Sequence, residues 1–483
     1  MQLFSNATLN GQLVDVAVEA GVITAITPAT TSSSDRGGSD LGGRWISPGL
    51  WDNHVHFSQW ALVQQRLDVS GATSAREAAE LVRTALSHAT APAVPFVASG
   101  FRDGLWPDLP NSATLDAVES VHPVVLVSGD LHTVWLNTPA LELYGHAGHP
   151  DGVLREDPAF EVTRRIDTVD PRELDVWARA AAREAARNGV VGIVDLEMDW
   201  NLDTWQRRID GGNDFLRVEF GIYTQHLDRA IELGLHTGQR INDLLTVGQY
   251  KVLTDGSLNT RTAYCYDEYP GRPGEFGMLT MPPAELLPHL RKAVAAGITP
   301  TVHAIGDHAV SLVLDAFAEI ATLENYRGGR MEHAQLIAAK DFARFAELGV
   351  VASVQPDHAM DDRDVAELYW AGRTDRTFAL RSLLDAGAEL AMGSDAPVSP
   401  LDPWVTAAAA VGRTRGDREP WHPEQRITTA EALAASTRTT VAVGQPADLI
   451  VTDVDPLAAD ASGLRDMGVS ATLLGGRFTF NEL

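Results

Sequence analysis

The chain has 483 residues, 45% of them hydrophobic and 21% charged, the balance of a soluble globular protein, and no apolar run approaches the roughly 18 residues of a membrane span. Acidic residues outnumber basic ones 65 to 38 with no Lys/Arg run to neutralise phosphates, which excludes nucleic acid as a partner. The single cysteine, Cys265, rules out an internal disulfide and, with no basic-then-apolar start after Met1, fits a cytoplasmic protein.

In chain order, residues 13–18 and 22–26 alternate apolar and polar side chains around Asn10-Gly11 and Gly21, the pattern of a small antiparallel sheet, and the Ser/Gly-rich residues 31–38 read as a loop. The segment from Ser47-Pro48-Gly49 to His56 reads as a strand carrying His54 and His56, whose side chains fall on one face because strand residues i and i+2 do. Residues 65–165, with Trp106-Pro107 and Leu109-Pro110, break the rhythm and read as an inserted subdomain. Strands are then expected at 189–195, 245–253, 297–303, 329–333, 349–355 and 389–393. Helices are expected at 282–296, 308–323, 339–348, 376–386 and 429–436, the last with a Thr428/Glu431 capping box. Repeated βα units of this number imply an α/β chain built on a (β/α)8 TIM barrel, with the insertion covering its mouth. Three further strands at 447–452, 469–474 and 477–480 pair with the N-terminal ones in a composite β-sandwich. The expected domains are therefore 1–47 with 437–483 as sandwich, 48–64 with 166–436 as barrel, and 65–165 as insertion.

Lys251, His303, His333 and Asp395 each end or follow a predicted strand, and in a barrel those ends meet at one mouth. Singly each has an ordinary explanation; together with His54 and His56 they form a metal-ligand set. Neutral imidazoles and a carboxylate suit zinc, one or two ions, better than iron or manganese. Bound metal would make water nucleophilic at neutral pH, and Asp395 is the candidate general base. An ammonium at Lys251 could not coordinate, but a free amine can take up carbon dioxide and become a bridging carbamate; otherwise a single-metal site is the fallback. Trp51, Trp60, Trp106 and Trp135 fall near the mouth or lid and are candidate aromatic pocket walls.

These segments resemble the amidohydrolase superfamily, specifically its amidohydrolase-3 subgroup, which includes N-substituted formamide deformylases. The resemblance is carried by Pro48 to His56, Ser128-Gly129-Asp130-Leu131-His132 with Asn137, Lys251 to Ala263, Val302 to Asp307, Met331 to Leu336, Gln355-Pro356-Asp357-His358, Gly393 to Val398 and Ala447-Asp448-Leu449. It implies hydrolysis of a carbon–nitrogen bond in a small molecule, with metal ligation by His54, His56, His303, His333 and Asp395 and with Lys251 as the carbamate. It also implies His132 as a polariser of the substrate carbonyl and Arg261 as a binder of a substrate carboxylate, each with a plain structural alternative. His308, Asn259 and the short 441–446 loop depart from the subgroup pattern without removing a ligand. The same site could instead serve deamination, ester hydrolysis, isomerisation or decarboxylation, while a full ligand set argues against a degenerate binding barrel. A homodimer is the candidate assembly.

Overall fold

The computed structural model describes residues 1–29, 38–88 and 95–483, so the expected loop at 31–38 falls, apart from Gly38, outside the described residues. Eight strands run side by side in parallel: β1 (Leu50–Val55), β2 (Val190–Asp195), β3 (Arg217–Tyr223), β4 (Leu245–Leu253), β5 (Pro300–Ala304), β6 (Gly329–His333), β7 (Val350–Val354) and β8 (Leu390–Met392). Beyond β8 the chain returns to β1, where Val55 bridges Ala396 and the His56 N–H donates to the Ala396 carbonyl at 2.8 Å. The sheet thereby becomes a (β/α)8 barrel. Outward side chains such as Val218, Phe220, Val302, Met331 and Ala352 pack under the helices in one apolar core. The helix Pro171–Arg187 lies close to the strands because its buried face is alanine, at positions 178, 181, 182, 185 and 186.

Expectation and structure differ where tertiary partners override the local pattern. β3 has no counterpart among the expected strands: Arg217, Glu219 and Gly221 interrupt its apolar run. Both charges are answered from outside the barrel, Arg217 by Asp448 at 2.6 Å and Glu219 by Arg438. The strand expected at 297–303 starts only at Pro300, because Gly297 turns at φ 75°. The helix expected at 376–386 begins at Leu380, after Thr374–Arg376 has formed a separate 3-10 turn and Phe378 has taken φ 50°. The Thr428/Glu431 capping box is present.

Strands from both ends of the chain share a second sheet, ordered Arg477–Asn481, Val469–Leu474, Leu449–Thr452, Trp45–Pro48, Gln2–Leu9, Gln12–Glu19, Val22–Pro28. It is one continuous hydrogen-bonded path around an apolar core that includes Phe4, Val16, Ile23, Ile46, Leu449 and Leu473. Gly49 alone separates its strand Trp45–Pro48 from β1, and a Cβ there would lie 2.3 Å from Val191 Cγ1, so no larger residue fits where the sheet domain feeds the barrel. Between β1 and β2 stands a third sheet, Leu67–Asp68, Phe96–Phe101, Val124–Ser128, Thr133–Leu136 and Val153–Arg155, with Phe101, Leu126 and Trp135 in its core. None of the helices of the described residues is long and apolar enough to cross a membrane.

Gly49→Ala forces a methyl into the Val191 side chain and should destabilise the fold by about 1–3 kcal/mol, read as a lower denaturation midpoint with an unchanged m-value.

Candidate metal centre

His54, His56, Lys251, His303, His333 and Asp395 all line one cavity of about 1120 Å³ at the C-terminal mouth of the barrel. The Nε2 atoms of His54 and His56 lie 3.3 and 3.4 Å from Asp395 Oδ1. The ring of His333 is 5.1 Å from that of His54 and 4.5 Å from that of His303, centroid to centroid. Ligand atoms of His54, His56 and Asp395 fall within 4.8 Å of one another, as do those of His333, His358 and Asp395.

The convergence comes from barrel closure. Asp52 is buried and accepts from the backbone N–H of His54 at 3.1 Å and of Ser394 at 2.9 Å, while the Asp395 N–H donates to the His54 carbonyl at 2.7 Å. The strand ends that carry His54 and Asp395 are thus tied to each other. Burial drives the Asp52 carboxyl up to about 7, although the hydrogen bonds centred on Ser394 and His54 pull the other way. Strand parity supplies the rest of the wall. Gln249 and Lys251 of β4, Thr301 and His303 of β5, and Arg330 and Glu332 of β6 share the inner face, whereas Tyr250, Val252, Val302 and Met331 between them join the outer apolar core. His333 follows the inward Glu332 by one residue and would point outward in a regular strand. Its φ of 72°, with Ala334 at 44° and Asp395 at 57°, re-aims the chain at the mouth, a conformation that costs about 1–2 kcal/mol per non-glycine residue.

Glu332, to which the sequence pattern does not point, organises the donors from below. It is fully buried and meets Arg330 Nε at 3.2 Å, the Thr301 hydroxyl and His54 Nδ1 at 2.7 Å. Burial pushes its carboxyl up, but Arg330, His54 and Lys251 outweigh that and hold it well below the usual range. A carboxylate only accepts, so His54 carries its proton on Nδ1 and turns the Nε2 lone pair toward Asp395 Oδ1. Two acceptors facing at 3.3 Å are what a cation between them would stabilise. Burial lowers His54 to about 4, with Lys251 assisting and Asp395 and Glu332 opposing, and burial lowers His333 far below 6.5, so both rings are neutral donors. His303 Nε2 and His333 Nδ1 are buried without a hydrogen-bond partner among the described residues. The residues fit a divalent metal ion. Lys251, 2% exposed, is lowered to about 8 by burial, against the pull of Glu332 and Asp395.

The remaining sequence candidates separate. His132 lines the cavity from the inserted segment, and its Nδ1 donates to Glu156 at 2.9 Å. Arg261 does not reach the cavity: its guanidinium carbon stacks 5.2 Å from the Tyr369 ring centroid, and it pairs with neither a ligand site nor Asp255. Trp106 is likewise a packing residue, donating from Nε1 to the Ala72 carbonyl at 3.2 Å and lying against Phe101. Trp51, Trp60 and Trp135 are buried in cores, so among the described residues no tryptophan lines the mouth. Glu197 lines it, and its carboxylate accepts from the Gln59 side chain at 2.9 Å and backbone N–H at 3.0 Å. His358 is the other residue that sequence reasoning missed. It stands in the Gln355-Pro356-Asp357-His358 segment, after a predicted strand, and that position alone could have flagged it.

Residues 38–480 match the profile described as the amidohydrolase family. The chain belongs to the amidohydrolase family. Protein LONG AFTER FAR-RED 3 of Arabidopsis thaliana is 29% identical over 82% of this chain and 74% of its own length. The N-substituted formamide deformylase of Arthrobacter pascens is 24% identical over 90% of this chain and 88% of its own. Among solved structures, an uncharacterized metal-dependent hydrolase from Pyrococcus horikoshii OT3 superimposes with a TM-score of 0.78 at 24% identity, covering 95% of this chain and 99% of that one. The barrel of this amidohydrolase-family member is thus a shared fold, and its His/Asp mouth is the place where a divalent metal would sit.

Glu332→Gln removes the negative charge and turns one of the two acceptor oxygens into a donor, loosening the hold on the His54 tautomer; the folded variant should bind divalent metal about 10- to 100-fold more weakly in a chelator competition titration. The His132–Glu156 pair has a pH signature. Burial pushes Glu156 up, but hydrogen bonds and charge from His132, with Thr260 and Thr262, bring it from 4.5 to about 2, so its stabilisation is complete above pH 4.5 and lost toward pH 2. Burial pushes His132 down, but the Glu156 hydrogen bond and the charges of Asp130, Glu156 and Asp395 leave it raised above 6.5, so its share is complete below pH 6.5 and lost as pH rises through the raised value. Denaturant unfolding across pH should therefore show the stability advantage of wild type over Glu156→Gln at a plateau between about pH 4.5 and 6.5, falling on both sides.

Proposed function

We propose that this protein is a metal-dependent hydrolase that cleaves the carbon–nitrogen bond of a small amide, N-formyl compound or cyclic amide. The observation that carries this reading is the meeting of His54, His56, His303, His333 and Asp395 in one mouth with unpartnered imidazole nitrogens. Those five residues are the proposed donor set, for zinc. When bound, the cation supplies Lewis acidity and makes water nucleophilic near neutral pH.

The chain's own groups do the rest. Asp395 takes the proton of the attacking water and returns it to the departing nitrogen; its carboxyl is pushed up by burial but held well below its ordinary range by His54, His56 and His333, so it enters the reaction as the anion. His132, kept protonated by Glu156, donates to the substrate carbonyl oxygen as negative charge grows there. Lys251, lowered to about 8, is neutral in a useful fraction of molecules at neutral pH. Its amine could add carbon dioxide and lose one proton to become a carbamate, and Lys251 in that anionic form would help hold the metal. The inserted segment, through Arg102, Leu131 and Phe160, closes the cavity over a small substrate and limits bulk water. The relative named N-substituted formamide deformylase supports a formamide-like substrate.

The test is a panel of N-substituted formamides, N-acyl amines and cyclic amides, monitored by release of amine, ammonia and formate. Turnover should vanish on chelation and return with zinc, Asp395→Asn should lower kcat at least 100-fold, and ¹³C-bicarbonate should give a carbamate resonance absent from Lys251→Ala. Intact His54→Ala protein with undiminished metal and turnover would refute the reading.

A further inference from the structure

We infer that a second cavity, at the floor of the barrel and so at the end opposite the mouth, binds a small amino acid as its zwitterion. Nothing in this assignment depends on the chemistry proposed for the mouth. The floor cavity measures about 480 Å³, within the roughly 300–1,000 Å³ of small-molecule sites. It exists because of what the strands turn inward there. A barrel interior is ordinarily filled by branched apolar side chains, in layers drawn from alternate strands. Here β4, β6 and β8 supply Gln249, Arg330 and Ala391 instead: an amide, a guanidinium and a single methyl.

The two polar groups are buried and incompletely bonded. Gln249 and Arg330 precede Lys251 and Glu332 by two residues, about 7 Å nearer the floor, and are 8% and 7% exposed. Gln249 Oε1 is buried with no hydrogen-bond partner among the described residues, a condition that costs about 1–3 kcal/mol unless something donates to it. Arg330 gives Nη2 to the Asn53 carbonyl and the Ser353 hydroxyl at 2.8 Å each and keeps Nε 3.2 Å from Glu332; none of these contacts uses Nη1. A guanidinium only donates and stays charged, so its remaining edge calls for an acceptor. The cavity therefore asks for an acceptor and a donor together.

Charge around it is balanced. Arg438 pairs with Glu219 and donates from Nη2 to the Asn53 amide oxygen at 3.1 Å, and Glu389 is exposed at the same cavity. The two arginines and two glutamates of the lining leave no net field to favour a bare anion or a bare cation. A ligand that carries both signs fits all of these groups. Its carboxylate takes Arg330 Nη1 in a charge-assisted bond, and its ammonium donates to Gln249 Oε1 with Glu219 as countercharge. Val247, Val351 and Leu390 give the lining an apolar side for a short aliphatic side chain.

Titration calorimetry of the full-length protein tests this with glycine, L-alanine, L-valine and L-leucine, and with isovalerate and isobutylamine, which are valine without its amine and without its carboxylate. At least one of the four amino acids should bind, and at least about tenfold more tightly than either single-charge compound. Ala391→Leu fills the floor without touching a polar group, and Gln249→Leu removes the unpaired oxygen; each should weaken that binding at least about tenfold. Amino-acid binding left intact in both folded variants places the ligand elsewhere and overturns the inference. Isovalerate or isobutylamine binding as tightly as the amino acids overturns it too, since one charge then suffices. No binding of any of the four marks a hydrated void only, with the same consequence. Should Ala391→Leu not fold by circular dichroism, Gln249→Leu decides the location, and the comparison of the six compounds needs no variant.

Discussion

The mouth exists because the first and last barrel strands are tied together at their tips. Asp52 grips the backbone on both sides of the seam, at His54 and at Ser394, and the Asp395 N–H answers the His54 carbonyl. The proposed ligands His54 and Asp395, separated by some 340 residues, are thereby held by backbone bonds, not by flexible side chains alone, and backbone geometry is what a coordination sphere needs from its scaffold. Everything else in the site is arranged around that seam.

A barrel interior that carries Lys251, Arg330 and Glu332 cannot be held by apolar packing. Buried charges are costly unless paired, and here they are paired in sequence from floor to mouth: Arg330 with Glu332, Glu332 with the His54 ring, His54 with Asp395. The chain of contacts has a chemical consequence, because it leaves a lone pair, not a proton, at the nitrogen nearest Asp395. It also explains why the pull on Lys251 is divided, with burial lowering it while two carboxylates raise it.

The inserted segment contributes shape more than chemistry. Its own sheet buries Trp135, packs the half-buried Trp106 against the same core, and the segment offers the cavity His132, Leu131 and Phe160 instead. Aromatic residues near a mouth in sequence are not thereby aromatic walls: a tryptophan that covers a sheet core removes more apolar surface from water than one left facing a cavity. Arg261 obeys the same logic, stacking on Tyr369 with φ 61° rather than reaching for a ligand.

Strand and helix order, the barrel, the pairing of both chain ends in one sheet, and the convergence of six His, Lys and Asp residues on one mouth were legible in the sequence, because period-two and helical patterning and strand-end positions are local signals. β3 was not legible, since its charges are neutralised by Asp448 and Arg438 from the far end of the chain. Glu332 was not legible as part of the site either, whereas His358 stood in a quoted segment after a predicted strand without being given a role. Glu332 precedes a histidine that looked like the ligand of its strand, and only the left-handed turn at His333 lets both neighbours serve the same mouth. The sequence by itself determined which groups could bind a metal and on which strands they lie. Only the tertiary structure decided which of them face one another, because burial, strand parity and the closing of the barrel act between residues that no local pattern connects.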